Sequence, residues 1–284
     1  MESTEDNGWT PLPHSDEDVQ RARAVPDTPQ TRAPTYRLAF ADEDFLTRRE
    51  LRGIRLQLEL MKPEMALAER GIRSTVILFG GARIPEPHGE AWAAKNETQK
   101  KNLLANAKYY SEARKFARIC SQHSAQSYYR EFVVVTGGGP GVMEAGNRGA
   151  ADCGAPSIGL NIVLPHEQAP NAYVTPDLCF NFHYFAIRKM HFIMRAKAVA
   201  VFPGGFGTMD ELFETLTLIQ TGRMERVPVL LFGKEFWSKA VNIDFLVEQG
   251  TVSPGDEKLL TIVDEAEEGW AEIARFYRID DSAT

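Results

Sequence analysis

The sequence predicts an α/β protein of Rossmann-like type, a doubly wound, mainly parallel sheet with helices on both faces. Three observations carry that expectation. Short β-branched apolar runs recur along the chain. Most lead through a turn into a helical pattern, as in a parallel sheet covered on both sides. Three of the runs end in glycine clusters, at Gly80, Gly137 and Gly204. Right-handed crossovers bring all strand carboxyl ends to one edge, where open α/β sheets hold ligands.

The elements follow in order. Residues 1–36 are acidic, with prolines at 11, 13, 26, 29 and 34 and no sustained period, and are expected to form a flexible arm. Residues 37–70 form an N-terminal helical segment. Phe45, Leu46, Leu51, Ile54, Leu58 and Met61 recur there at helical steps, and Pro63 is expected to kink or split the helix. Residues 71–284 form one domain. Ser74–Phe79, Phe132–Thr136, Ser157–Asn161, Ala198–Phe202 and Val229–Phe232 read as strands, with Leu178–Phe182 and Leu259–Val263 as two more. Helical patterns fill Asn102–Ser124, Met143–Cys153, Arg188–Arg195, Thr208–Thr221, Phe236–Val247 and Ala266–Phe276.

Composition narrows the function. The 284 residues are 43% hydrophobic and 25% charged, enough for a sizeable core. The net charge of −7 argues against a broad nucleic-acid-binding surface. No apolar run approaches the ~18 residues of a membrane span. The acidic start resembles neither a secretory signal nor a transit peptide. Cys120, Cys153 and Cys179 are odd in number and widely spaced, which argues against a disulfide framework or a cysteine zinc site. The expected compartment is the cytoplasm.

The glycine loops exclude two chemistries. From Gly137 the sixth position is Val142, and from Gly139 it is Glu144, so the Gly-x-Gly-x-x-Gly dinucleotide fingerprint fails in both frames. No glycine opens a Walker A loop. What remains is Pro203-Gly204-Gly205-Phe206-Gly207-Thr208 between a strand and a helix. Backbone amides approach an oxyanion closely there, and the helix start adds unpaired N–H groups and partial positive charge. Gly204, Gly205, Gly207 and Thr208 are the candidate phosphate-binding residues, against the alternative of a plain tight turn. Gly137-Gly138-Gly139-Pro140-Gly141 similarly opens the helix carrying Glu144.

Charged residues lie beside these loops. Glu211 either caps its helix through the Thr208-x-x-Glu211 spacing or faces the crevice, where a carboxylate stabilises a developing cation or activates water. Asp210 and Glu214 are near. Arg188 and Lys189 sit in an otherwise apolar, aromatic segment and need an anion or a route to the surface. His183 and His191 are not at zinc-pair spacing and read as packing or polar-network residues.

The run Gly137–Glu144, the Arg188-Lys189 pair and Pro203-Gly204-Gly205-Phe206-Gly207-Thr208-Met209-Asp210-Glu211 resemble the LOG ("Lonely Guy") family, often mislabelled lysine decarboxylases. The resemblance covers about Ser74 to Phe236 and is nearer the longer type of that family. The first loop, Phe79-Gly80-Gly81-Ala82-Arg83, departs from the commoner Gly-Ser-Ser form. The resemblance implies a hydrolase that cleaves the N-glycosidic bond of nucleoside 5′-monophosphates. AMP or N6-prenyl-AMP would yield a free base and ribose 5-phosphate. It implies Arg188 and Glu211 as catalytic and the glycine-threonine loop as the phosphate site. Gly80, Gly137, Gly138, Gly139, Gly141, Glu144 and Lys189 are expected at the nucleotide, with Phe182, Tyr184, Met190 and Phe206 lining the base pocket. It also implies a homodimer or higher homo-oligomer, for which Leu212–Ile219 and Asp42–Arg70 are the candidate interface segments. Neither metal nor organic cofactor is required. A lysine decarboxylase would need a Schiff-base lysine, for which Lys189 is the only candidate near the crevice, activated by its neighbour Arg188. The other alternative is a carrier that binds a phosphorylated ligand on the same fold without hydrolysing it.

Overall fold

Seven short strands pair in parallel in the order β4-β3-β2-β1-β5-β6-β7. The computed structural model describes residues 14–165 and 169–279. The strands are β1 (Thr75–Phe79), β2 (Val133–Thr136), β3 (Ser157–Ile162), β4 (Cys179–Phe182), β5 (Ala196–Val201), β6 (Val229–Phe232) and β7 (Leu260–Val263). Central strands are apolar on both sides because both faces are covered. Val76, Ile77, Leu78, Val199 and Ala200 are fully buried, and each of the four branched side chains among them stabilises by about 1.5–3 kcal/mol.

The chain divides into two units between Leu58 and Glu59. The first contains α1 (Ser15–Arg23) and α2 (Glu43–Leu46). The sequence shows no period over α1, and none of its residues is buried. Acidic residues in its first turn and arginines in its last suit the helix dipole. Asp42 caps α2, accepting from the Phe45 amide at 3.4 Å. Arg37 donates to Asp42 at 3.3 Å and to Asp44 at 2.8 Å.

α3 (Arg52–Glu69) runs through Pro63 as one helix, so of the expected kink or split the split does not occur. Proline has no N–H to offer the carbonyl four residues back, which belongs to Glu59. His191 Nε2 lies 3.1 Å from that carbonyl oxygen and supplies the missing partner.

The remaining helices are α4 (Glu97–Ala105), α5 (Ala107–Ala125), α6 (Val142–Ala151), α7 (Phe185–Ile193), α8 (Phe206–Gln220), α9 (Lys234–Ala240), α10 (Ile243–Glu248) and α11 (Ala266–Tyr277). The pattern expected as one helix from Asn102 is interrupted at Asn106, which ends α4 and opens α5. The pattern from Phe236 is likewise split. Asn242 caps α10, its side chain accepting from the Phe245 amide at 3.0 Å.

One face of the sheet packs Phe116, Ala145 and Ile273 of α5, α6 and α11. The other packs Leu67, Phe192, Leu212 and Trp237 of α3, α7, α8 and α9. From β1 the chain winds outward through β2 and β3 to β4. It then returns to β5 on the other side of β1 and winds outward again. The order therefore reverses between β1 and β5, and the crevice of a doubly wound sheet opens at such a point. Among the described residues no helix is long and apolar enough to cross a membrane.

Candidate active site

The loops after β1, β2 and β5 meet over the strand ends. The Gly81 amide donates to the Pro203 carbonyl at 2.9 Å, and the Val142 amide donates to the Gly81 carbonyl at 3.3 Å. Gly141 has φ +70°, and an added Cβ would lie 2.4 Å from the Gly81 carbonyl oxygen. Only glycine lets the start of α6 reach this loop. Gly80 is needed for packing, since a Cβ there would meet Val142 at 2.5 Å. These contacts bring the three glycine clusters together.

The second loop is braced by buried polar residues. Thr136 Oγ1 donates to Asn147 Oδ1 at 2.7 Å and accepts from the Gly138 amide at 3.0 Å. Asn171 Nδ2 donates to the Gly138 and Gly139 carbonyls, both at 3.0 Å. Sequence reasoning missed Asn147 and Asn171. The signal was an asparagine among the small residues Gly146, Gly149 and Ala150, at a position with no solvent to satisfy it.

α8 begins at Phe206, two residues before the expected start. Gly205 is its N-cap and makes no side-chain capping bond. Glu211 thus lies in the second turn and does not cap the helix. A Cβ on Gly204 would meet Thr208 Oγ1 at 2.1 Å, whereas Gly205 and Gly207 face open space. Gly205, Phe206 and Gly207, at the start of α8, are exposed, whereas Thr208 is buried. Phe206 stands 96% exposed.

Glu211 is only 7% exposed. Burial pushes its carboxyl up to about 7, against the opposing pull of Lys189 and Arg188. Arg188 Nε donates to the Leu160 carbonyl at 2.7 Å, and its guanidinium carbon lies 5.1 Å from the centre of the Phe192 ring. A Cβ on Gly137 would lie 2.7 Å from Arg188 Nη2, so this cation reaches across the second glycine loop. Lys189 Nζ lies 3.0 Å from Asp210 and 2.8 Å from Glu214. Desolvation pulls the Lys189 ammonium down, but the bonds to Glu214 and Asp210 prevail and hold it above its ordinary range. The expected activation of this lysine by Arg188 is therefore absent. A cation held between two carboxylates does not fit the free amine a Schiff base requires.

Glu144 accepts a hydrogen bond from the Tyr110 hydroxyl at 2.8 Å. Arg148 donates to the same hydroxyl at 3.3 Å and to Glu86 at 2.8 Å. Burial is the main cause that pushes the Tyr110 hydroxyl well above its ordinary range. Sequence reasoning missed Tyr110, which lies 34 residues from its partner. Phe182, expected to line the base pocket, is 1% exposed in the core. His191 is buried in the polar network already described. His183 donates its amide to Glu59 at 2.8 Å.

A cavity of about 640 Å³ opens beside the α8 start. It is bounded by the first loop, Leu103, Asn106, the Pro203–Phe206 loop, Met209 and Phe236.

A parallel doubly wound sheet, with glycine loops opening helices at its carboxyl edge, defines a Rossmann-type α/β protein. A family model described as "Possible lysine decarboxylase" matches residues 143–273. Cytokinin riboside 5′-monophosphate phosphoribohydrolase LOG3 of Arabidopsis thaliana is 27% identical over 175 residues, covering 54% of this chain and 80% of that protein. LOG7 of the same plant is 34% identical over 83 residues, covering 28% of this chain and 38% of its own. Among solved structures, the molybdenum cofactor binding protein of Rippkaea orientalis aligns with a TM-score of 0.46 at 16% identity, covering 72% of this chain and 98% of that one. The Moco carrier protein of Chlamydomonas reinhardtii aligns with a TM-score of 0.45 at 16% identity and the same coverage. The sequence matches make the chain similar to LOG-family proteins over about half of its length.

Proposed function

We propose that the chain hydrolyses the N-glycosidic bond of a nucleoside 5′-monophosphate, AMP or N6-prenyl-AMP, to a free base and ribose 5-phosphate. The observation that carries this reading is the buried carboxylate of Glu211, in the second turn of a helix whose start is open. The phosphate sits on the amides of Gly204, Gly205, Gly207 and Thr208, where the helix end favours an anion. The ribose then lies toward Glu211.

Cleavage builds positive charge on the ribose, as in other glycosidic hydrolyses. The Glu211 carboxylate stabilises that charge and orients a water molecule. The water oxygen bonds to C1′ and gives up a proton to solvent, the C1′–N bond breaks with its electron pair leaving on the base, and the base nitrogen takes up a proton from solvent. Arg188 favours the ionised form of Glu211 and reaches across the Gly137 loop. Lys189 holds α8 through Asp210 and Glu214, and Glu144 meets the ribose hydroxyls or the base. Anchoring the phosphate end confines the sugar, the entropic part of catalysis. The relatives named as phosphoribohydrolases support this reading.

The same reading takes the protein as cytoplasmic and as a homodimer or larger homo-oligomer. Leu212, Thr215 and Ile219 face the core, so Phe213 of α8, together with Phe185, Met190 and Met194 of the α7 region, offers the exposed apolar surface.

Incubation with AMP and with isopentenyl-AMP, followed by chromatography, tests the activity. Stoichiometric free base and ribose 5-phosphate are expected. A nucleotide returned intact after long incubation would reject hydrolysis and leave a carrier.

A further inference from the structure

We propose that Arg83 is a further phosphate-binding residue, which forms with the start of α8 a pocket for one terminal phosphate. The proposal deepens the nucleotide reading above and rests on it. The cavity beside the Pro203–Phe206 loop lies where the winding of the sheet reverses, between the loops after β1 and β5. Arg83 is the only charged side chain among the residues that line it. It is exposed and makes no hydrogen bond or ion pair with any described residue.

Two positive features thus bound one space, the guanidinium of Arg83 and the open N-terminus of α8. No carboxylate lines the cavity to balance them. Like charges facing a shared crevice are unfavourable unless an anion enters between them. A guanidinium binds phosphate oxygens in a fork of two parallel bonds, which backbone amides alone do not supply. The rest of the wall includes Leu103, Met209 and Phe236. A second or third phosphate would lie against hydrocarbon with no cation to pair it, which is costly. The pocket therefore takes a monophosphate in preference to a longer phosphate chain.

The test measures binding by calorimetry in the Glu211→Gln background, with adenosine, AMP, ADP and ribose 5-phosphate as probes. Arg83→Ala is expected to weaken AMP and ribose 5-phosphate about tenfold or more and to leave adenosine unchanged. Arg83→Lys recovers part of the loss, and AMP binds at least about tenfold tighter than ADP when Arg83 is present. AMP affinity within about twofold of the Arg83 parent would overturn the proposal, as would equal loss of AMP and adenosine. Failure of both phosphate probes to bind would overturn it too. Ribose 5-phosphate held through Arg83 while no nucleotide binds would reject the nucleotide reading and keep the phosphate pocket. AMP held through Arg83, yet uncleaved by the protein with Glu211 intact, would reject hydrolysis alone.

Discussion

Lys189 Nζ lies 2.8 Å from Glu214 Oε2, three residues and so about one helical turn beyond Glu211. The same ammonium holds Asp210 at 3.0 Å, so α7 grips the second and third turns of α8 through one cation. Lys189→Met is expected to destabilise the fold by about 1–3 kcal/mol, because two carboxylates lose their partner. It also removes one of the two cations that hold the Glu211 carboxyl down, so the acidic limb of the rate profile moves to higher pH. A thermal melt and a pH–rate profile check both effects.

Activity should rise with pH through about 7, the value to which burial pushes Glu211, because the proposed hydrolysis uses the ionised carboxylate. In the free protein that limb appears in kcat/KM. Glu211→Gln should remove it together with most of the turnover. A limb that persists unchanged in that variant would place the titrating group elsewhere.

Stability should move the other way. Below the ordinary carboxyl value of 4.5 the group is protonated whether the chain is folded or not. Between 4.5 and about 7 only the folded protein keeps the proton, and the resulting stabilisation is lost as pH rises through the folded value. Glu211→Gln is therefore expected to be more stable than wild type at pH 8, by up to about 3 kcal/mol, and nearly equal at pH 4. Calorimetric melts at the two pH values test it.

Gly204 and Gly205 should separate packing from ligand access. A Cβ on Gly204 meets Thr208 at 2.1 Å, whereas one on Gly205 meets nothing within 4 Å. Gly204→Ala should cost about 1–3 kcal/mol of stability by overpacking. Gly205→Ala should melt like wild type but raise the KM for the phosphorylated substrate, because the methyl occupies the approach to the amides. Equal melts for the two variants would contradict this.

The strands of the sheet interior were readable because both faces are covered, so β1, β2, β5 and β6 appear as unbroken apolar runs. The glycine loops were readable for the same local reason, since each follows a run and two of the three lead directly into a helix. What escaped depends on distant partners. Nothing near Pro63 announces that His191 will satisfy the Glu59 carbonyl, and the grip of Tyr110 on Glu144 joins two helices. Whether Glu211 capped its helix or faced the crevice was undecidable from the Thr208-x-x-Glu211 spacing. The earlier start of α8, at Phe206, removes the cap. Arg188 and Lys189 were visible as misplaced charges, but their different partners, a backbone carbonyl and a carboxylate pair, emerge only when α7 meets β3 and α8.

Phe206 stands almost fully in water between two glycines, and its ring touches the space where a ligand would arrive. A tryptophan at this position would act as an optical sensor. Its emission would change on occupancy of the crevice and would follow entry and departure in real time without a labelled substrate.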